Sequence, residues 1–234
     1  MSEVSFLQKG KGKDLLLLHG YLSSKEAFAA QVAYFSRFFR VTAIDFLGFG
    51  DSKALTSPFS VGDYAEWLKT VMLDLGLQKP HVIAHSFGCR VAVKAAFYEP
   101  SLFDKILLTG PAGVILKRGI KYRFKVGTYR FVKKFAPAFA ERKFGSKEYR
   151  TLSQMMKESY KKIVNEDLRV CASGVLNEVL IVEGTDDKVT TRAEAQAYLK
   201  CFPKGKMRMI EGGHFAFAEN PVSFNLIAEE FFYG

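Results

Sequence analysis

Short apolar runs alternate with longer stretches of helical spacing along most of this chain, and that alternation limits its fold more than any other feature. Residues 15–19, 41–46, 82–85, 106–109, 179–183 and 207–211 read as short buried strands. Residues 24–39, 61–75, 87–98, 192–202 and 221–232 read as helices. In the first of these, Phe28, Val32, Phe35 and Phe39 recur along one helical face. Ser60 is a candidate cap for the second, and Pro100 stops the third. Residues 47–58 form a loop rich in Gly, Ser and Pro. Strands that alternate with helices imply the α/β class, a mostly parallel, doubly wound sheet with helices on both faces.

One segment breaks the alternation. Residues 115–175 hold 16 Lys and Arg against 5 Asp and Glu, a net of +11. The whole chain carries +10, so the remainder is close to neutral. The expected organisation is therefore a core domain, 1–114 with 176–234, and a helical, strongly basic cap over 115–175. Within it Lys117, Arg118, Lys121, Arg123, Lys125, Lys133 and Lys134 interleave with Tyr122, Phe124, Tyr129, Phe131 and Phe135. Such a surface either faces water or steers an acidic carrier protein, a phosphate-bearing acyl group or an anionic membrane surface.

Four places at strand ends carry residues suited to chemistry. In Ala84-His85-Ser86-Phe87-Gly88 a strand gives way at once to a helix. A serine on that turn is forced outward at the helix N-terminus, and small neighbours let strand and helix approach closely. The same serine could do no more than cap the helix. Leu18-His19-Gly20-Tyr21 follows the first strong strand. An oxyanion needs two backbone N–H donors, and Phe87 and Tyr21 are placed to supply them. His19 reads as structural. Glu211-Gly212-Gly213-His214-Phe215 puts a histidine on a glycine-freed loop after the last strand, and Glu183-Gly184-Thr185-Asp186-Asp187 puts two acids after another. Either acid could orient the histidine ring and stabilise its charged form. Active sites of open α/β sheets lie at these carboxyl ends of strands.

With these motifs in place, the sequence resembles the α/β-hydrolase superfamily over nearly its whole length. The matching stretches are His19-Gly20-Tyr21, the loop from Asp45 to Ser52 (D-x-x-G-x-G-x-S), Ala84 to Gly88, Gly184 to Asp187, Gly212 to Phe215, and Glu219-Asn220-Pro221. Ala84 stands where the family more often has Gly. The resemblance implies Ser86 as nucleophile, His214 as base and Asp187 as the orienting acid, since the family's acid lies three residues after the strand-ending glycine. It gives Asp45 and Ser52 no catalytic role, and makes 115–175 a substrate-selecting cap. A serine nucleophile sets the chain apart from the superfamily's dehalogenases and epoxide hydrolases. Its carbon–carbon bond hydrolases usually carry Asn and Trp where His85 and Phe215 stand here. The expected substrate is thus a carboxylic ester or thioester, with carbon–carbon bond hydrolysis, or a ligand sensor that keeps the three residues, as alternatives.

No cofactor is expected. The four histidines share no metal-ligand spacing, and Cys89, Cys171 and Cys201 form no paired motif. Scattered, odd-numbered cysteines and the lack of an apolar leader or a ~20-residue apolar span point to the cytoplasm. The basic segment comes with no nucleic-acid motif, so no nucleic acid is expected as a partner.

Overall fold

A computed structural model describes residues 4–116 and 152–234. The basic, aromatic stretch from Lys117 to Phe135 lies outside the described residues. Seven strands form one sheet: β1 (Phe6–Lys9), β2 (Asp14–Leu18), β3 (Arg40–Ile44), β4 (His81–His85), β5 (Ile106–Thr109), β6 (Val179–Gly184) and β7 (Gly205–Ile210). Their spatial order is β1-β3-β2-β4-β5-β6-β7. Among the described strands only β1 runs antiparallel, paired with β3 from Phe6↔Ile44 to Lys9↔Val41. All other neighbours are parallel.

Among the described residues the α-helices are α1 (Ala29–Phe35), α2 (Val61–Asp74), α3 (Phe87–Tyr98), α4 (Gln154–Val164), α5 (Arg169–Ser173), α6 (Arg192–Leu199), α7 (Ala216–Glu219) and α8 (Pro221–Tyr233). Side chains alternate across the strands and build a core on each face. Leu16, Leu18, Val82, Ala84, Ile106 and Leu108 pack with α2 and α3. Leu15, Leu17, Val41, Ile83, Leu107 and Leu180 pack with α1 and α8. Leu16, Leu17 and Leu18 are fully enclosed, so truncating any one to Ala costs roughly 2–5 kcal/mol.

Local chemistry fixes where helices start. Ser60 Oγ accepts from the amide of Asp63 at 3.2 Å, while the Asp63 carboxylate accepts from the amide of Ser60 at 2.7 Å. This reciprocal pair begins α2 where Ser60 was expected to cap. The single helix expected over 24–39 is instead a short 3-10 turn, Lys25–Phe28, followed by α1. Lys25 explains the tighter start: its amide and its Nζ both donate to Asp45, each at 2.7 Å.

Asp45 and Ser52 stitch the 45–52 loop together. Asp45 also accepts the amide of Asp51 at 3.0 Å, and Ser52 Oγ donates to Asp45 O at 2.7 Å. His19 is fully buried. Its Nδ1 donates to Gly20 O at 2.7 Å and its Nε2 accepts from the amide of Phe46 at 3.0 Å. All three residues are thus bonded into the frame.

β5 pairs directly with β6, the next described strand in the sequence. Among the described residues between them, α4 lies over the 47–60 loop. Lys162 Nζ donates to Pro58 O at 2.8 Å, the amide of Phe59 donates to Ser159 Oγ at 2.9 Å, and Tyr21 Oη donates to Met156 O at 3.1 Å.

Candidate active site

Ser86 is the single residue between the end of β4 and the start of α3. Its backbone sits at φ 49°, ψ −105°, a region costly for any residue with a side chain. The turn is that sharp because α3 passes directly over the end of β2. A Cβ on Gly88 would lie 2.3 Å from Leu18 O and 2.8 Å from His19 O, so only glycine fits there. The amide of Ser86 donates to Thr109 O at 3.1 Å, which ties the strained residue to β5.

His214 comes from the loop between β7 and α7. The amide of Gly213 donates to Glu219 Oε2 at 2.6 Å and the amide of Asp186 donates to Gly212 O at 2.9 Å, bracing the loop from both sides. Its Nε2 stands 3.1 Å from Ser86 Oγ, and its Nδ1 stands 2.8 Å from Asp187 Oδ2. Three residues expected to act together, 128 and 27 positions apart in sequence, meet in one chain of contacts.

Asp187 is held as an ion. Its Oδ1 accepts the amides of Val189 at 2.7 Å and Thr190 at 3.0 Å, and Oδ2 accepts the Thr190 hydroxyl at 2.8 Å. Burial pushes the carboxyl up, but the bonds from His214, Val189 and Thr190 outweigh it and hold the group at about 2. A carboxylate only accepts, so Nδ1 of His214 carries the proton and Nε2 offers its lone pair to the serine hydroxyl. Asp186 is exposed and points no such group at the ring.

Phe87 opens α3, and amides of a helix's first turn have no acceptor within the helix. Tyr21 and Phe87 share a wall beside Ser86, their rings 5.6 Å apart, on a cavity of about 1130 Å³. Ile115, Leu116, Leu152 and Ile163 make much of the remaining wall apolar.

Four contributors escaped the sequence reading. Thr190 holds Asp187 and approaches His214 Nδ1 to 3.3 Å. His85 Nε2 donates to His214 O at 3.0 Å, and burial together with the nearby His214 pulls its ring down to about 3, so it is neutral. Glu183 is fully buried at the end of β6, with neither oxygen bonded to a described residue. Burial, reinforced by the charge of Asp187, raises its carboxyl to about 8. Arg90 lines the cavity four residues after Ser86, a spacing visible in the sequence. For Glu183 the sequence offered no signal beyond its place next to Gly184.

A family described as alpha/beta hydrolase fold matches residues 14–170, more than half of the chain. A curated relative from Acinetobacter baylyi, named as an (E)-2-((N-methylformamido)methylene)succinate hydrolase, is 28% identical over 101 residues, 43% of this chain and 38% of its own. A carboxylesterase of Bacillus subtilis is 30% identical over 99 residues, 42% of this chain and 33% of its own. The chain thus spans about a third of the length of these curated relatives. Among solved structures, an esterase of Exiguobacterium antarcticum superposes with a TM-score of 0.80 at 19% identity, covering 99% of this chain and 96% of that one. The family match, the parallel sheet with its one antiparallel edge strand, and the strained serine turn agree: this chain belongs to the α/β-hydrolase fold family.

Proposed function

We propose that the protein is a serine hydrolase that cleaves a carboxylic ester or thioester through an acyl-enzyme. The observation that carries this reading is the continuous contact from Ser86 Oγ through the His214 ring to the Asp187 carboxylate, at 3.1 and 2.8 Å. His214 Nε2 takes the Ser86 proton as Oγ attacks the carbonyl carbon. The amides of Phe87 and Tyr21 receive the oxygen as it gains charge, each such donor being worth ~3–4 kcal/mol in the transition state. Asp187 stabilises the imidazolium and keeps its proton on Nδ1. His214 then protonates the departing alkoxide or thiolate, and a water, deprotonated by the same ring, releases the acid.

Both relatives' printed activities are hydrolytic, and that of the Bacillus relative is carboxylic-ester hydrolysis. His85 and Phe215 in the places where carbon–carbon bond hydrolases usually carry Asn and Trp favour esters over those substrates. The apolar cavity wall suits an acyl chain. The test is a panel of p-nitrophenyl esters of graded chain length, followed into the pre-steady state. A burst of nitrophenol equal to the enzyme present, lost in Ser86→Ala, is expected. No turnover of any ester, or equal turnover by Ser86→Ala, contradicts the reading.

A further inference from the structure

Arg90 is a charge inside the site that the hydrolytic steps leave unused. It lies on the first turn of α3, four residues after Ser86, which precedes the helix as its cap. Arg90 is 7% exposed and lines the same cavity as Ser86 and His214. A guanidinium carries five N–H groups in a planar fork. Among the described residues it makes one hydrogen bond, from Nη1 to Glu166 O at 2.7 Å. The Glu166 carboxylate itself goes to Lys94, 2.7 Å away. No carboxylate of a described residue forms an ion pair with Arg90.

A buried cation bonded to one carbonyl is expensive, because burial strips its water and returns little. That burial is also what lowers its proton affinity. Glu194, the one acid on the cavity wall among the described residues, does not relieve it. Its carboxylate accepts from the amide and hydroxyl of Thr191 at 2.8 and 3.0 Å, closing the cap of α6. The free edge of the guanidinium and the open cavity therefore belong together.

We infer that Arg90 binds a carboxylate carried by the substrate, so that the site takes anionic esters or thioesters whose free carboxylate lies a short chain away from the scissile carbonyl. A planar carboxylate meets the planar fork with two parallel hydrogen bonds. With the carbonyl at Ser86, that anion lies roughly 5–10 Å off, one to two helical turns along α3. This assignment rests on the hydrolase reading of Ser86.

The experiment compares two esters of equal chain length, p-nitrophenyl hexanoate and the mono-p-nitrophenyl ester of adipic acid, in the whole protein. The wild type is expected to favour the anionic ester at least tenfold in kcat/KM. Arg90→Met should cut the ratio of the two by about 100-fold, and Arg90→Lys should keep part of it, as for truncating one partner of a buried charge pair. A wild type without preference, or a ratio unmoved in Arg90→Met, overturns the assignment.

Calorimetric titration of the wild type with adipate and with adipamide reads the same site without catalysis and without a variant. Adipate should bind and adipamide should not. Equal affinity, or no adipate binding, overturns the role of Arg90. If neither ester is hydrolysed while adipate binds, the hydrolase reading fails and the anion site stands.

Discussion

The ring of His85 reaches across the site to the backbone of His214, its Nε2 donating to that residue's carbonyl oxygen at 3.0 Å. The residue before the strained serine thus fixes the loop of the residue that must reach that serine. Burial keeps the His85 ring neutral, so this bond persists through the whole physiological range. His85→Ala is expected to lower kcat on a neutral ester about tenfold with KM little changed, since a loosened base misplaces the proton-transfer step. Steady-state kinetics check it; a change confined to KM contradicts it.

Ser86 stores strain that its side chain makes worse. At φ 49°, ψ −105°, an alanine is as strained as the serine, but a glycine is not. Ser86→Gly should therefore melt above Ser86→Ala. The relief is ~1–3 kcal/mol, reduced by the ~0.5–1 kcal/mol of extra chain freedom that glycine loses on folding. The net is about 1 kcal/mol, a few degrees in Tm at this size. Equal melting of the two variants rejects the strain account.

Asp187, not Asp186, contacts the His214 ring, and the proposed mechanism makes it the acid that orients that ring. Asp187→Asn leaves the volume but offers an amide to His214 Nδ1, favouring the wrong tautomer, and should cost up to ~10⁴ in kcat. Asp186→Asn, at an exposed position, should change activity less than about twofold. The reverse ranking in parallel assays overturns the choice. Because its folded carboxyl is depressed to about 2, Asp187 adds stability above its ordinary value of 3.8 that is lost as pH falls towards 2.

Glu183 works in the opposite direction. Its carboxyl is raised from 4.5 to about 8 in the folded chain, so folding retains a proton that the unfolded chain releases. The stability it contributes is fully present below about pH 4.5 and drains away as pH climbs through 8, on the order of 5 kcal/mol in all. Glu183→Gln keeps the shape and cannot ionise. Between pH 5 and pH 8 the wild type should lose roughly 10 °C of Tm more than this variant does. Parallel melting curves against pH contradict a buried neutral acid.

What could be read in advance followed from periodicity and from strand ends. The buried parallel strands are unbroken apolar runs, so β2, β4, β5 and β6 stood out to within a residue or so. The edge strand β1 did not. All four of its residues are exposed, so burial imposes no pattern on them, and only the backbone of β3 recruits them. The same logic divides the site. Ser86, His214 and Asp187 sit on glycine-marked turns that sequence displays. Thr190 and Glu183 matter through what lies opposite them in space, which spacing along a chain does not encode, and the four-residue step from Ser86 to Arg90 did not show that a cavity opens there.

The most direct measurement is intact-protein and peptide mass spectrometry after reaction with a fluorophosphonate. A single adduct on Ser86 is expected in the wild type, with none in Ser86→Ala and at least a hundredfold slower labelling in His214→Ala. An unlabelled wild type, or labelling of Ser86 at an unchanged rate without the imidazole, contradicts the account.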